Sequence, residues 1–378
     1  MSGNPLVALG ASGQSPWLDY IHRGMIASGE LGRRIAEDGI RGVTSNPTIF
    51  EKAVSTGSDY DAQIRALAKG AVPLLEAYKR IVTDDIRAAA DVLRPVYDAS
   101  GGEDGYVSLE VDPDLARDTG ATIARARELF DAVGRPNVMI KIPGTKEGLP
   151  AVEETIASGV PVNVTLIFSV IRYEEVVGAY MAGVERLLAA GGDPRKVASV
   201  ASFFVSRVDT AVDPMLYSVV KRWPDSPRAE TAISLMGTVA VANARLAYGR
   251  FGELFGSPRW KALAARGARK QRPLWASTGT KNPTYSDVKY VEELIGPDTV
   301  NTMPPQTMDA FRDHGAVADA LTGSAPAAKE ALRDLGLMDI GIEEVCARLE
   351  EEGVQSFLDS HRKLLAAIGS RLAKASTG

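Results

Sequence analysis

A lysine lies in the middle of an otherwise apolar segment. Residues 137–145 read NVMIKIPGT, so that Lys141 interrupts a run of aliphatic side chains that ends at Pro143 and Gly144. This composition is typical of a β-strand buried on both faces. Burial disfavours the charged ammonium, and a neutral amine can attack a carbonyl carbon to form a Schiff base. The alternative is a structural lysine that reaches solvent from a strand end or pairs with a buried acid.

Two carboxylates occupy positions that suit proton transfer beside such an amine. Residues 106–111 read YVSLEV, and the alternation of side chains along a strand places Ser108 and Glu110 on one face. Asp19 directly follows the apolar pair Trp17 and Leu18. Schiff-base chemistry needs groups that carry protons while a carbinolamine forms and loses water, and carbon–carbon cleavage needs a base. Composition alone does not assign these steps to either acid.

Eight short apolar segments alternate with longer segments of helical periodicity. We predict strands at 17–20, 42–45, 106–111, 138–142, 162–166, 197–205, 274–277 and 299–303. Helical periodicity is clear at 115–133, 151–157, 170–190 and 229–255. This alternation predicts an α/β fold of the (β/α)₈ TIM-barrel type.

Additional helices are expected outside the regular repeat. They should occupy residues 59–93, between the second and third strands, and the whole segment from Pro305 onward apart from a turn-rich patch at 322–326. No repeat or low-complexity linker divides the chain. We therefore predict a single barrel domain over residues 1–378, on which residues 305–378 pack as a helical extension.

Polar side chains share one face of several predicted strands. Asn163 and Thr165 lie on the same face of the fifth strand, and Thr44 and Asn46 end the second strand in the same way. In a barrel the apolar face meets the helices, and catalytic groups lie at the carboxyl ends of the strands. The alternative, an antiparallel sheet with one solvated face, does not suit strands that are separated by helices.

Charge and apolar patterning exclude several classes of partner. The formal net charge is −5, so no basic excess exists to neutralise a nucleic-acid backbone. No run of 18 apolar residues and no basic-then-apolar leader is present. We therefore expect a soluble, cytoplasmic protein that binds neither nucleic acid nor membrane.

The spacing of residues in the sequence does not match that of metal-binding or cofactor-binding motifs. The three histidines, His22, His314 and His361, lie far apart without a partner at ligand spacing, and the single cysteine, Cys346, is expected to be a small core residue. The Gly-Thr-Lys triplets at 144–146 and 279–281 lack the earlier glycine of a phosphate-binding loop. No metal and no cofactor are predicted.

Several segments together carry a resemblance to transaldolases. Residues 42–50 (GVTSNPTIF) are similar to the amino-terminal signature of that family, and residues 138–149 (VMIKIPGTKEGL) resemble its lysine signature. The segments 108–112 (SLEVD), 163–166 (NVTL) and 202–207 (SFFVSR) fit the same family. The resemblance runs from about residue 14 to 304 and is strongest to the longer bacterial members of this class I, Schiff-base aldolase superfamily.

The resemblance implies roles for the candidate catalytic residues. Lys141 would attack the C2 carbonyl of a ketose phosphate and form the Schiff base. Asp19 would take the proton of the C4 hydroxyl as the C3–C4 bond breaks. Glu110, with a water held by Thr165, would move protons while the carbinolamine forms and dehydrates. No cofactor is implied.

The resemblance also implies a substrate-binding set, to which we add Thr44 beside Asn46. Asn46 and Asn163 would bind the three-carbon dihydroxyacetone unit, Ser202 and Phe204 would shape its pocket, and Arg207 would bind the phosphate, for which its planar fork is suited.

One part of the family pattern is altered. Family members often carry a second phosphate-binding arginine shortly after a serine on the seventh strand, whereas residues 275–283 read WASTGTKNP. Ser277 matches that serine, and Lys281 is our candidate for the cation, unless it is an ordinary exposed loop lysine. Lys146 competes for phosphate contact or for the nucleophile, but its position after a Pro-Gly turn predicts a solvated amine.

Three functions remain open from the sequence. The first is a transaldolase of the pentose phosphate pathway, acting on phosphorylated sugars such as sedoheptulose 7-phosphate and fructose 6-phosphate. The second is an aldolase of the fructose 6-phosphate aldolase kind, which would release free dihydroxyacetone. The third is a silent scaffold barrel, which the presence of Lys141, Asp19 and Glu110 disfavours. Sequence does not decide between a monomer and a homodimer.

Overall fold

Eight parallel strands close into a barrel in the order of the chain. The computed structural model describes residues 3–377. Each strand pairs in parallel with its sequence neighbours, and the first pairs with the last. The strands are β1 (Gln14–Leu18), β2 (Gly42–Thr44), β3 (Tyr106–Glu110), β4 (Val138–Pro143), β5 (Val162–Ile167), β6 (Ser199–Phe204), β7 (Arg272–Ala276) and β8 (Thr299–Met303). The predicted (β/α)₈ TIM barrel is thus confirmed.

Helices surround the barrel and extend beyond its regular repeat. They are α1 (Pro5–Ala11), α2 (Arg23–Ala27), α3 (Glu30–Asp38), α4 (Pro47–Ser55), α5 (Asp61–Lys69), α6 (Leu74–Ala99), α7 (Thr119–Val133), α8 (Gly148–Ala157), α9 (Val170–Ala189), α10 (Ser206–Arg222), α11 (Pro227–Leu235), α12 (Val239–Leu254), α13 (Pro258–Ala264), α14 (Lys289–Glu292), α15 (Pro305–His314), α16 (Ala325–Leu337) and α17 (Ile342–Thr377). Two 3₁₀ turns lie at Pro113–Leu115 and Pro194–Lys196. None of the helices between residues 3 and 377 combines the length and apolarity that a membrane crossing requires.

The first predicted strand was displaced along the chain. It begins at Gln14 and ends at Leu18, whereas the pattern predicted residues 17–20. The polar residues at its start are buried with partners: the Gln14 amide donates to Leu294 O at 2.6 Å and the Ser15 hydroxyl donates to Asp104 Oδ1 at 2.7 Å. The local sequence suggested a loop because these residues are polar, but the distant partners satisfy their hydrogen bonds inside the barrel.

The helix predicted at 229–255 is in fact two helices. It is broken between α11 and α12 at Gly237, whose φ is +69°. The Gly237 amide donates to Asp213 Oδ1 at 2.9 Å, and a Cβ on Gly237 would lie 2.6 Å from the Tyr285 ring. The break depends on Asp213 of α10 and on Tyr285 of a later loop, and therefore apolar periodicity could not show it.

The segment after Pro305 is less helical than predicted. Residues 315–324 separate α15 from α16, and Asp319 Oδ1 accepts backbone hydrogen bonds from Leu321 and Thr322 in a local turn. Helix α17 then packs along α4 and α5, where Arg371 pairs with Asp61. Cys346 is buried as expected, with its thiol donating to Phe168 O at 3.2 Å. Whether residues 1–378 form one domain with 305–378 as an extension stays a prediction.

Candidate active site

A cavity of about 150 Å³ opens at the carboxyl ends of the barrel strands. It is lined by side chains from seven strands or the loops that follow them, and by one residue of α17. The lining residues are Asp19, Thr44, Asn46, Lys141, Thr165, Ser202, Phe204, Arg207, Ala276, Ser277, Gly279, Lys281, Thr302, Pro304 and Phe357. This is the end of the barrel where enzymes of this fold perform their chemistry.

Lys141 enters the cavity from the fourth strand and is only 4% exposed. Its Nζ lies 3.3 Å from Glu110 Oε2 and donates a hydrogen bond to Ser45 O at 3.1 Å. After β4 the chain turns closely into α8, and Gly148 permits this turn, because a Cβ there would lie 1.9 Å from Pro143 O. Lys146, the competing lysine, is exposed and does not line the cavity.

Two carboxyl groups lie near the amine, of which Glu110 is buried and Asp19 is partly buried. Burial raises the pKa of Glu110, while the Lys141 charge acts in the opposite direction and the Asp19 charge adds to the rise. Burial likewise raises the pKa of Asp19, against the Thr44 hydrogen bond and the charges of Lys141 and Lys281. Two acids that oppose each other's ionisation beside one amine can hold and exchange protons during a reaction.

Asp19 is oriented by the neighbouring strand. The Thr44 hydroxyl donates to Asp19 Oδ1 at 2.6 Å and lies 2.7 Å from the Thr302 hydroxyl of β8. All three residues line the cavity. This chain of hydrogen bonds fixes the orientation of the Asp19 carboxyl group at the cavity wall.

A second polar network lies against the cavity on the fifth and sixth strands. The Ser202 hydroxyl donates to Asn163 Oδ1 at 2.6 Å, and the Asn163 amide donates to the Ser108 hydroxyl at 3.0 Å. These bonds fix the Asn163 amide in one orientation. Thr165 differs, because its buried hydroxyl lines the cavity and has no hydrogen-bond partner within the described chain. A buried hydroxyl of this kind is suited to hold a ligand or a water.

Two cations lie at the edge of the cavity. Arg207 is partly buried, and its guanidinium stands 5.6 Å from the Phe204 ring centre. Burial lowers the pKa of Arg207 and the Glu352 charge opposes that effect, but an arginine stays charged at any working pH. Lys281 is exposed on the loop after β7. Together they can bind an anion such as a phosphate.

The loop that carries Lys281 is anchored on α10 by two tyrosine–aspartate hydrogen bonds. Tyr285 donates to Asp213 Oδ2 at 2.8 Å, and Tyr290, which follows the loop, donates to Asp209 Oδ2 at 2.8 Å. At the start of the same loop Ser277 adopts a positive φ of +56° and its hydroxyl lies 3.0 Å from the Ser206 hydroxyl. The position of Lys281 therefore depends on α10.

Asp209 should make stability depend on pH. Burial raises its pKa to about 6 from 3.8, so the folded state holds this proton more tightly than the unfolded chain does. The stabilisation is complete below about pH 4 and is lost as pH rises through about 6, with an upper limit of about 3 kcal/mol. Asp209→Asn can keep both hydrogen bonds, from Ala240 N and with Tyr290. The free energy of unfolding, measured by chemical denaturation between pH 4 and 7, should depend less on pH in Asp209→Asn than in the unaltered protein. An equal pH dependence in the two proteins would contradict this prediction.

The structure brings most of the predicted residues together. Ten of the twelve line the cavity, and the other two, Glu110 and Asn163, stand directly behind it in contact with lining residues. Sequence reasoning missed five lining residues: Ala276, Gly279, Thr302, Pro304 and Phe357. The polar pattern of the eighth strand was a signal for Thr302, but no local pattern pointed to Phe357, which lies in a helix far along the chain.

A larger cavity, of about 500 Å³, lies at the opposite end of the barrel. It opens among the starts of β6 and β7, and its cations are engaged: Lys270 pairs with Asp298, Arg272 pairs with Asp104, and Arg269 donates to backbone carbonyls. It contains no amine held beside buried acids. Within residues 3–377, no three His, Cys, Asp or Glu side chains gather in a way that would hold a metal ion.

Comparisons with known proteins agree with this geometry. The family described as Transaldolase/Fructose-6-phosphate aldolase matches residues 16–368. A transaldolase of Thermobifida fusca (strain YX) is 51% identical over 372 residues, which cover 98% of this chain and 99% of that protein. A transaldolase of Trichodesmium erythraeum (strain IMS101) is 46% identical over 376 residues, covering 99% of each chain. Transaldolase 1 of Streptomyces avermitilis is 51% identical over 97% of this chain and 95% of that protein.

Proposed function

Because this chain belongs to the transaldolase/fructose-6-phosphate aldolase family, we propose that it transfers a dihydroxyacetone unit between phosphorylated sugars through a Schiff base on Lys141. The donor would be sedoheptulose 7-phosphate or fructose 6-phosphate, and the acceptor glyceraldehyde 3-phosphate or erythrose 4-phosphate. The observation that carries the proposal is the buried Lys141 amine, which is paired with the buried Glu110 and shares a cavity with the partly buried Asp19 and two cations. A cytoplasmic location stays a prediction.

The steps follow from the side chains in the cavity. The Lys141 amine attacks the ketose carbonyl, and Glu110, at 3.3 Å, supplies and removes protons as the carbinolamine loses water. Asp19 takes the proton of the C4 hydroxyl while the C3–C4 bond breaks, and its raised pKa makes it a stronger base than an ordinary aspartate. Asn46, Ser202, Thr44 and Phe204 contact the three-carbon unit, and Asn163 orients Ser202.

Trapping the intermediate tests this proposal. The protein is incubated with fructose 6-phosphate, reduced with borohydride and digested, and the peptides are mapped by mass. We expect a reduced dihydroxyacetone adduct on the peptide that contains Lys141, and none on Lys146. A folded protein that forms no adduct with the sugar phosphate in excess would refute the proposed chemistry.

Arg207 and Lys281 should contribute to binding of the substrate phosphate and not to the chemical step. Arg207→Ala should lower kcat/KM for fructose 6-phosphate by roughly 10- to 150-fold, mainly through KM, because a charge-assisted hydrogen bond contributes about 1.5–3 kcal/mol. Lys281→Ala should lower it by no more than about fivefold, since an exposed ion pair contributes at most about 1 kcal/mol. Unphosphorylated fructose is the control substrate, and its slow turnover should not change. Equal losses with fructose would place Arg207 in the reaction itself.

Transfer is favoured over simple release for a specific reason. The curated relatives that cover nearly the whole chain at about half identity are transaldolases. A release enzyme of the fructose 6-phosphate aldolase kind would produce free dihydroxyacetone at the turnover rate without an acceptor. Measuring that product with and without erythrose 4-phosphate distinguishes the two functions.

A further inference from the structure

Helix α17 crosses the open end of the barrel and places one side chain in the cavity. Phe357 lines the cavity and is only 4% exposed, and Lys141 Nζ lies 5.9 Å from its ring centre. Every other lining residue comes from a strand or from the residues that follow a strand. Phe357 is therefore an apolar cover that the barrel itself does not supply.

The helix is held close to the barrel on both sides of Phe357. Four residues earlier, Gly353 allows contact with the fifth strand, since a Cβ there would lie 2.9 Å from Leu166 Cδ2 and 3.7 Å from Arg207 Nη1. Three residues later, the hydroxyls of Ser360 and Thr48 are 2.8 Å apart. Because both neighbouring turns are fixed, the phenyl ring has a defined place over the amine.

The chemistry makes such a cover consequential. After carbon–carbon cleavage, the three-carbon unit remains on the lysine nitrogen as an enamine. Its release consumes one water: a proton goes to the enamine carbon, the water oxygen becomes the ketone oxygen of dihydroxyacetone, and the lysine is restored as a free amine. Transfer instead requires the enamine to survive until an aldehyde arrives. A site that admits bulk water favours release, and one that excludes it favours transfer.

We propose that Phe357 excludes bulk water from the lysine-bound unit and thereby sets the ratio of transfer to release. This inference rests on the proposed function and adds a specificity-determining residue to it. The ring presents no hydrogen-bonding group, and its face also stabilises a positively charged nitrogen close to it. An individual water molecule can still be held by polar groups such as the Thr165 hydroxyl, which has no hydrogen-bond partner within the described chain.

The test compares product ratios in Phe357→Ala, Phe357→Leu and a matched control, Leu364→Ala. Leu364 is buried on the same helix, 1% exposed, but does not line the cavity. With fructose 6-phosphate and no acceptor, Phe357→Ala should release free dihydroxyacetone roughly tenfold faster than the unaltered protein, and Phe357→Leu should fall between them. Leu364→Ala should lower the melting temperature and leave the ratio of release to transfer unchanged.

Two results would overturn the inference. One is an unchanged ratio in a folded Phe357→Ala, with the borohydride adduct still formed on Lys141, which would refute the water-exclusion role and leave the proposed function standing. The other is an equal rise in release for Leu364→Ala, which would assign the effect to loosening of the helix. Absence of the adduct in the unaltered protein would instead refute the proposed function itself.

Discussion

Lys141→Met is expected to abolish the reaction. Without the amine no Schiff base forms, and the loss of a covalent nucleophile should lower kcat for transfer from fructose 6-phosphate by at least about 10⁴-fold. The methionine side chain fills a similar apolar volume in a site that is only 4% exposed. Borohydride trapping of the variant should give no adduct. An adduct elsewhere, or activity within a hundredfold of the unaltered protein, would show that another residue is the nucleophile.

The control for Lys141→Met is Lys141→Arg. Removing the ammonium leaves Glu110 buried without its ion-pair partner, but the raised pKa of Glu110 allows it to take a proton and remain in place. Lys141→Arg retains a positive charge and cannot form an imine. Both variants should be inactive and untrapped. If only Lys141→Met lost activity, the lysine would be acting through its charge.

Asp19→Asn should give the second-largest loss. Removing the base that accepts the C4 hydroxyl proton should lower kcat by about 10²- to 10⁴-fold. The amide has the shape of the carboxyl group, so the Thr44 hydroxyl can still donate to its oxygen. Dihydroxyacetone needs no carbon–carbon cleavage to form the imine, and trapping with that compound should therefore persist. Loss of this adduct too would mean that Asp19 is required for imine formation.

The pH profile separates the base from its neighbours. Burial raises the pKa of Asp19 above its ordinary value, so the ionised form, which acts as the base, is lost as pH falls through that raised pKa. The acidic limb of kcat should therefore lie at higher pH than an ordinary aspartate would give, and it reports the coupled pair of Asp19 and Glu110 rather than either acid alone. In Asp19→Asn, the acidic limb of the pH profile of the residual kcat should no longer contain the titration of Asp19. An acidic limb identical to that of the unaltered protein would assign it to Glu110.

The barrel and most of its site followed from local patterns. Strand alternation placed Ser108 with Glu110 and Asn163 with Thr165, and the hydrogen bonds from Ser202 to Asn163 and from Asn163 to Ser108 connect these faces across three strands. Period-two alternation is a property of the strand itself, and a closed parallel barrel requires the polar set to converge at one end. Order along the chain was then enough to predict which side chains would meet.

Contacts between distant segments were beyond that reasoning. The break at Gly237 depends on Asp213 and Tyr285, and the place of Phe357 over Lys141 depends on Gly353 passing close to Leu166. Hydrophobic periodicity in the sequence cannot show these contacts, because each one joins a helix or loop to a residue that a different element positions. Helix propensity predicts that α17 forms, but it does not predict that this helix packs over the cavity.

The sequence by itself determined the fold class and the family, and it indicated Lys141, Asp19 and Glu110 as the proposed nucleophile and acids, since each of these is carried by strand periodicity or by contiguous motifs. Tertiary structure alone decided how the site is enclosed: the anchoring of the Lys281 loop on α10, the raised pKa of both carboxyl groups and the cover from α17. The physical reason is that burial and electrostatics depend on everything within a few ångströms, whereas local patterns report only what is near along the chain.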